Sequence, residues 1–559
     1  MKQTERTYDD RMFKETFEHG YTWLNGFLRN VVRYGSRLAI IDPANDKSWT
    51  YEELDRETNR LAHALAADGV GKNDVVTTAL VNSPEFAFTY IGPRKIGAIL
   101  NPANFNLAAG EFALLIDYNK PKVFIYSAPF KEVMVKALEL AKHKPARVVV
   151  AEAHEGEEIP EDHVRYEDYV AGRPETTPEM PVSPHIYDEV LRLCTSGTTS
   201  LPKNVPINDI NDVLSAHDVI MQYPMTCHDV TLNMTPWFHR GGCHCGGPGP
   251  AFYVGACVVV SRKFSPRTIL NWTEKYGITF LMGAPATLEM LARTQVKNPV
   301  DLSSLKGLIT MSAPLEKESC IRFQKELTPH IFNGYGTTET FWNSFLRPYD
   351  LPDSAGTVGG SCIDDEVRLV KLYDDRKAEP DDLAAFDNGE VGEVIIWSPA
   401  KCTYSYYNDP AETAEKFYKG WMYTGDIGVW GENRYITIYG RKDDMIITSA
   451  ENIYPSQVEE ILNSFDEVKD SIVCGIPDKV RGQVTAAYII PSDESVTIED
   501  IAKRCVESPM LSAYKRPRYY RLVDSLPHNA TGKKLHNMIR ERAESDRDAG
   551  LLVRPGALS

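Results

Sequence analysis

The 559-residue chain has no apolar run approaching the roughly 20 residues of a membrane-spanning helix. Its opening residues, Met1-Lys2-Gln3-Thr4-Glu5-Arg6, lead into a charged segment without the apolar core of a secretory signal. Neither membrane integration nor export is expected. Cysteine is sparse: ten residues stand scattered without paired spacing, which fits a reducing cytoplasm better than an oxidising compartment. The one local cluster, His239 with Cys243, His244 and Cys245, has no second Cys/His pair at finger spacing, and adjacent residues do not easily share one tetrahedral ion, so no zinc is expected there. Positive charge is in deficit. With 61 Lys+Arg against 78 Asp+Glu, the formal net charge of -17 repels nucleic acid and anionic membranes, although a local basic spot can still hold a nucleotide. There are no internal repeats, and low-order sequence is confined to an acidic, Pro-rich stretch at 155–184 and the tail after Ala543.

What is present is ordinary soluble-globular composition, 43% hydrophobic and 25% charged, in a chain long enough to need several folding units. Thr50 and Glu53 form a capping box for a helix over 51–67, with Leu54, Leu61 and Leu65 on one face and Asp68-Gly69 as the stop. A strand at 75–81, a helix at 83–95 broken near Pro93, and strands at 97–100, 122–126 and 146–151 continue the alternation, which predicts a layered α/β body. The apolar run 254–260 suits a buried strand. Past Gly440 the expected order is helix 454–465, strand 468–475, helix 498–506 and strand 519–523. The fold expectation is therefore a large multi-layer N-terminal α/β domain, 1–440, a hinge at 441–444, and a small mobile C-terminal α+β lid, 445–559.

The string Thr195-Ser196-Gly197-Thr198-Thr199-Ser200-Leu201-Pro202-Lys203 crowds hydroxyls around one glycine and sets an ammonium group just beyond them. Hydroxyls and free N–H groups can wrap a polyphosphate, Gly197 permits close approach, and Lys203 supplies charge. It is not a Walker A loop, because no second glycine precedes the lysine. The loop follows an expected strand at 189–194 and precedes a helical segment near 211–221, the placement of a strand-to-helix turn that offers N–H groups to an anion.

Together with Pro236-Trp237-Phe238-His239, Asn333-Gly334-Tyr335-Gly336-Thr337-Thr338-Glu339, Tyr423-Thr424-Gly425-Asp426, Gly440-Arg441-Lys442-Asp443-Asp444 and Asn529-Ala530-Thr531-Gly532-Lys533, this loop resembles the adenylate-forming acyl-CoA synthetase superfamily over nearly the whole chain. The resemblance implies a two-step reaction. A carboxylate attacks the α-phosphate of ATP to give an acyl adenylate and pyrophosphate, and the thiol of coenzyme A then displaces AMP. It implies Lys533 as the lid-borne catalytic cation, Glu339 with the Thr195 hydroxyl as holders of Mg²⁺, and Asp443 as the hinge. In the nucleotide site it places Tyr335, Thr337, Thr338, Ser312, Ala313 and Pro314 around the adenine and α-phosphate. Asp426 and Arg441 hold the ribose by the same resemblance. His239 gates the acyl site, Trp237, Gly241, Gly242 and Trp342 line it, and Ser449 and Ala450 lie along the coenzyme A tunnel.

Departures from the family pattern are His528 for arginine, Ser312 for a glycine, Ser449 and Ala450 for two glycines, Ser200 for glycine, and Asn204 after Lys203. None removes a charged catalytic group. Four glycines, 241, 242, 246 and 247, beside Trp237, Phe341 and Trp342 lean toward an aromatic, alicyclic or medium-chain acid, with no acidic residue placed to hold an amino group. Two alternatives stand beside the CoA ligase: an adenylation enzyme that loads a carrier protein, and a catalytically silent nucleotide-binding relative. Direction of the reaction and a homodimer are left open.

Overall fold

A computed structural model of the chain describes residues 10–556 other than 155, 181–182, 196–202, 374, 387, 449–450, 479–480, 509 and 530–531. Two large sheets build the N-terminal body. In one of nine strands, Val230–Asn233, Phe280–Gly283, Gly307–Thr310 and Ile331–Thr337 run parallel as successive neighbours. Parallel neighbours cannot be joined by a tight turn. Accordingly the returns from Phe280–Gly283 and from Gly307–Thr310 pass through the helices Pro285–Lys297 and Lys317–Glu326. The strands read as unbroken apolar runs because both faces are covered; every residue of Phe280–Gly283 and of Gly307–Thr310 is buried.

The seven-stranded sheet holds Val75–Ala79, Ile99–Pro102, Val123–Ser127, Arg147–Ala151 and Glu189–Thr195 in parallel pairings. The helix Tyr51–Ala67 starts at the expected capping box, with Thr50 N–H donating to Glu53 Oε2 at 2.8 Å and Glu53 N–H to Thr50 Oγ1 at 3.3 Å. The helix expected at 83–95 stops at Ile91, and Pro93–Ile96 forms a separate 3₁₀ turn, as a proline in the helical register requires.

A small C-terminal domain follows, with a five-stranded sheet containing Val468–Asp478, Gly482–Pro491 and Tyr519–Leu522 and with the helices Pro455–Asn463, Ile498–Glu507 and His536–Asp548. It encloses apolar cores of its own, one around Val458, Leu462, Ile501 and Tyr520 and one around Ile472, Tyr488 and Ile539. The fold is the expected large α/β body with a small α+β domain.

Several expectations are corrected. The run 254–260 is a strand only at Cys257–Val259, because Val254 ends the helix Pro248–Val254 and Gly255 reverses the chain at φ 91°. The stretch 155–184 contains the helix Tyr166–Val170, whose tyrosines 166 and 169 are buried. The tail after Ala543 is ordered: its helix continues to Asp548, and Val553 pairs with Tyr520. A whole antiparallel sheet, Glu366–Lys371, Gly392–Trp397, Phe417–Tyr418, Trp421–Trp430 and Ile436–Arg441, escaped the sequence reading. The hydroxyl loop does not lead into a helix. The strands on either side of it, Glu189–Thr195 and Lys203–Asn208, pair antiparallel with Thr195 opposite Lys203, and the helix Asp209–Gln222 follows only after the second strand.

Candidate active site

Strand register places the site. Gly283 pairs with Thr310 and Thr310 with Asn333, while Asn233 pairs with Met282 one residue earlier. The chain therefore leaves four adjacent parallel strands at one edge, and the segments carrying His239, Ala284, Ser312 and Tyr335 start side by side there. The carboxyl ends of parallel strands are where ligands of open α/β sheets bind.

On the nucleotide side, Ile331–Thr337 and Phe341–Leu346 form a hairpin with a register shift between Tyr335 and Gly336. A Cβ on Gly336 would lie 1.5 Å from the Phe341 carbonyl oxygen, so only glycine allows this approach. Asn333 is buried, and its amide nitrogen faces the Thr357 carbonyl at 3.4 Å. Ser312 takes φ 72°, a left-handed conformation that glycine adopts without strain, and Ala313 and Pro314 follow at the surface of the same edge. Tyr335 donates to Asp426 Oδ2 at 2.7 Å, and Arg441, which pairs with Asp426 across neighbouring strands, donates to Asp426 Oδ1 at 3.0 Å and to the Thr424 carbonyl at 2.8 Å. Burial, reinforced by the Asp426 charge, holds the Tyr335 phenol protonated far above its ordinary range. Burial opposes the Arg441 charge, but Asp426 outweighs it and raises the guanidinium. Tyr335, Asp426 and Arg441 are thus one preorganised group.

Glu339 occupies the turn at the hairpin tip. It is buried at 8% exposure, and Tyr406 donates to its Oε1 at 2.5 Å. Burial, then the Glu339 charge, raises the Tyr406 phenol. Glu339 Oε2 makes no hydrogen bond among the described residues. A hard carboxylate oxygen left open in this way suits Mg²⁺. Thr195 and Lys203 flank the hydroxyl loop; Ser196, Gly197, Thr198 and Thr199 lie outside the described residues. Lys203 is held by an ion pair with Glu412. Thr337 and Thr340 share a hydroxyl contact at 3.0 Å that braces the turn containing Thr338.

Around His239, Asn233 ends its strand by donating to the carbonyls of Gly241 at 3.0 Å, Gly242 at 3.1 Å and Cys245 at 2.5 Å, which fixes the short helix Arg240–His244 that follows His239. His239 is part-exposed as a residue, yet its Nε2 is enclosed without a partner among the described residues, and burial lowers the imidazole to about 4. The volume released by glycine here is taken rather than open. A Cβ on Gly242 would meet the Pro236 carbonyl at 2.0 Å, one on Gly247 the Gly242 carbonyl at 2.1 Å, and one on Gly246 the Met282 methyl at 1.9 Å. A Cβ on Gly241 would lie 2.8 Å from the Met311 sulfur, which belongs to a flexible side chain. Trp237 packs edge-on against Phe86 at 5.6 Å in the core, and Trp342 stacks on Phe341 at 4.7 Å.

The C-terminal domain brings its own loop to the same edge. Asn529 N–H donates to the Lys533 carbonyl at 2.9 Å, and Lys533 N–H to Asn529 Oδ1 at 2.8 Å. Gly532 adopts φ 80°, and a Cβ there would lie 3.8 Å from that of Ala284. The loop of Lys533 therefore rests on the chain leaving Phe280–Gly283, with the Lys533 side chain exposed. Asp443 lies in the turn Lys442–Asp444, where Arg540 donates to the Asp443 carbonyl at 2.6 Å and to Asp444 at 2.8 Å. Ser449 and Ala450 fall outside the described residues.

Family models match residues 27–407 as AMP-binding enzyme and 457–533 as AMP-binding enzyme C-terminal domain. The chain belongs to the AMP-binding enzyme family. It is 29% identical over 513 residues to 4-chlorobenzoate–CoA ligase of Arthrobacter sp., covering 91% of this chain and 93% of that protein. It is 29% identical to indoleacetate–CoA ligase of Aromatoleum aromaticum, with 90% and 95% covered, and 28% to the fatty acid–acyl-carrier-protein ligase ScoC of Streptomyces coeruleorubidus, with 89% and 92% covered. Among solved structures, the anthranilate CoA ligase AuaEII in complex with anthranoyl-AMP superposes with a TM-score of 0.83 at 25% identity, covering 94% of this chain and 98% of that one.

For this AMP-binding enzyme, sequence reasoning missed Tyr406, Glu412 and Arg240. The first two belong to segments whose partners lie some 70 and 210 positions away, and no local spacing announces them. Arg240 did carry a signal: a lone arginine beside His239 in an otherwise apolar, glycine-rich stretch. Among the described residues no group of three or more His, Cys, Asp or Glu side chains is arranged to hold a metal, and no helix is long and apolar enough to cross a membrane.

Proposed function

We propose that the chain is an AMP-forming ligase that activates a carboxylic acid with ATP and passes the acyl group to coenzyme A. The observation that carries this reading is the meeting of the Lys533 loop with the strand ends from which Ser312, Tyr335 and Glu339 extend. The relatives named as CoA ligases support the same acceptor. In the first half-reaction two anions approach one another, so catalysis requires fixed positive charge and donors aimed at the transferring phosphoryl group. Lys533, exposed and with no side-chain partner among the described residues, supplies that charge. Asp426 accepts from the ribose hydroxyls, and Tyr335 stacks its ring on the adenine. Thr195 and Lys203 frame the loop that receives the phosphates. Mg²⁺, held by Glu339 with the Thr195 hydroxyl, would neutralise phosphate charge in the complex.

In the second half-reaction the 441–444 turn acts as a hinge at Asp443, withdrawing Lys533 and presenting the face near Ser449 and Ala450 to coenzyme A. His239, kept neutral by burial, can turn without moving a charge. The acid is aromatic, alicyclic or medium-chain: Phe341 and Trp342 offer stacked walls, and Gly241 opens toward a yielding methionine. The test is acid-dependent exchange of labelled pyrophosphate into ATP across a panel of such acids, followed by thioester formation with coenzyme A or a carrier protein. Exchange with at least one acid and thioester on coenzyme A are expected. Absence of exchange with every acid, together with no nucleotide binding, overturns the reading; thioester on the carrier alone replaces the acceptor.

A further inference from the structure

Arg240 is 2% exposed, and its acceptors are all neutral. Its Nη1 donates to the carbonyls of Thr338 at 2.7 Å and Glu339 at 2.9 Å; its Nη2 donates to Ser215 Oγ at 3.1 Å and to the Lys401 carbonyl at 2.8 Å. Nε has no partner among the described residues. A guanidinium enclosed without a carboxylate is a poor way to stabilise a core, where a neutral side chain of the same volume serves better. Its geometry explains its presence. The two carbonyls it holds belong to the two peptide units on either side of the Glu339 Cα. Each peptide is planar, so anchoring both fixes φ and ψ at Glu339 and with them the direction of its Cα–Cβ bond. Tyr406 then pins Oε1 at the far end of the side chain, and Oε2 makes no hydrogen bond among the described residues.

We propose that Arg240 is a positioning residue that aims the Glu339 carboxylate at the metal-bearing phosphates, an inference that rests on the function proposed above. It also ties that carboxylate to the acyl side, because Arg240 follows His239 directly and Ser215 belongs to the helix Asp209–Gln222 beside it. Lysine in its place supplies one point charge and cannot span two carbonyls in a planar fork.

The experiment measures, on the full chain, how much MgCl₂ tightens binding of a non-hydrolysable ATP analogue by calorimetry. Arg240→Lys is expected to cut that gain by about tenfold, Glu339→Gln by a similar factor, and the double variant no further, the non-additivity of residues acting through one group. Arg94→Lys disturbs another buried guanidinium, which pairs with Asp212 at 2.6 Å and does not touch 338–340; it is expected to lower thermal stability and keep the Mg²⁺ gain. If Arg240→Lys does not fold, Arg240→Gln, which keeps a donor and removes the charge, is read in the same way. A full Mg²⁺ gain in the folded Arg240 variant, or a double variant that loses the product of both factors, overturns the assignment. Failure of the wild-type chain to bind the analogue at all would instead strike the proposed function.

Discussion

Two adjacent lysines provide the sharpest test of the arrangement, because the proposed function gives them opposite tasks. Lys533 is exposed, and among the described residues its hydrogen bonds within the loop run through its backbone. Lys534 is 22% exposed; its ammonium pairs with Asp470 at 2.6 Å and donates to the Ser471 carbonyl at 2.7 Å. Lys533→Ala removes no native side-chain partner, so its stability should change by less than about 0.5 kcal/mol. It does remove the charge meant for the transferring phosphoryl group, a loss of the order of 10²–10³ in rate for one preorganised donor. Lys534→Ala should lose about 1–2 kcal/mol of C-terminal domain stability from its half-buried ion pair and carbonyl bond. The assays are pyrophosphate exchange for the first half-reaction, thioester formation from a supplied acyl adenylate for the second, and thermal denaturation for both variants. Lys533→Ala should collapse the exchange while the second half-reaction keeps most of its rate. Equal loss in both half-reactions, or a melting transition lowered as far by Lys533→Ala as by Lys534→Ala, refutes the reasoning.

Asp426→Asn keeps an acceptor but removes the charge facing Arg441 and Tyr335; AMP affinity should fall about 10–100-fold by calorimetry, and affinity within twofold of wild type would remove Asp426 from the ribose site. Glu85 gives a pH prediction. Its Oε2 is enclosed without a partner among the described residues, and burial, with Glu152 nearby, raises the carboxyl to about 7. An acid whose folded pKa lies above its unfolded 4.5 leaves the native state holding the extra proton between those values, so its contribution is complete below pH 4.5 and lost as pH rises through 7, about 3 kcal/mol in all. Glu85→Gln should therefore melt above wild type at pH 8 and lose that advantage at pH 4.5; a difference independent of pH contradicts it.

The fold was legible where local chemistry and tertiary structure agree. The helix Tyr51–Ala67 announces itself because its capping box, apolar stripe and Gly69 stop are all within twenty residues. The parallel strands show as apolar runs because both of their faces are covered. The antiparallel sheet built from Glu366–Lys371 through Ile436–Arg441 was hidden for the opposite reason. Glu366–Lys371 mixes exposed and buried positions, and although Val394-Ile395-Ile396-Trp397 is an apolar run, long loops separate the strands, so no regular local pattern joins them into one sheet. The strand Lys203–Asn208 was missed because Pro206 reads as a breaker. It is tolerated on this strand, which closes the edge of its sheet.

For the site, sequence order and spatial order part company at a definable place. Motif residues that leave adjacent strand ends, Ser312, Tyr335 and His239, are brought together by register alone, and their motifs could be read in sequence because each is contiguous. The residues that hold them are not contiguous with anything. Tyr406 reaches Glu339 across 67 positions from the segment between the strand Gly392–Trp397 and the helix Pro410–Lys416, and Arg240 reaches Thr338 and Glu339 across 98 and 99 positions. A motif therefore records which groups gather at the strand ends, while their orientation is set by distant partners whose chemistry is generic: an arginine on two carbonyls, a tyrosine on a carboxylate. The glycines after His239 show the same divide. They suggest an open pocket in sequence, yet Gly242 and Gly247 are demanded by backbone pressed against backbone. Under the proposed function, room for the acid is to be sought where a side chain can yield, as Met311 can opposite Gly241, rather than where backbone meets backbone.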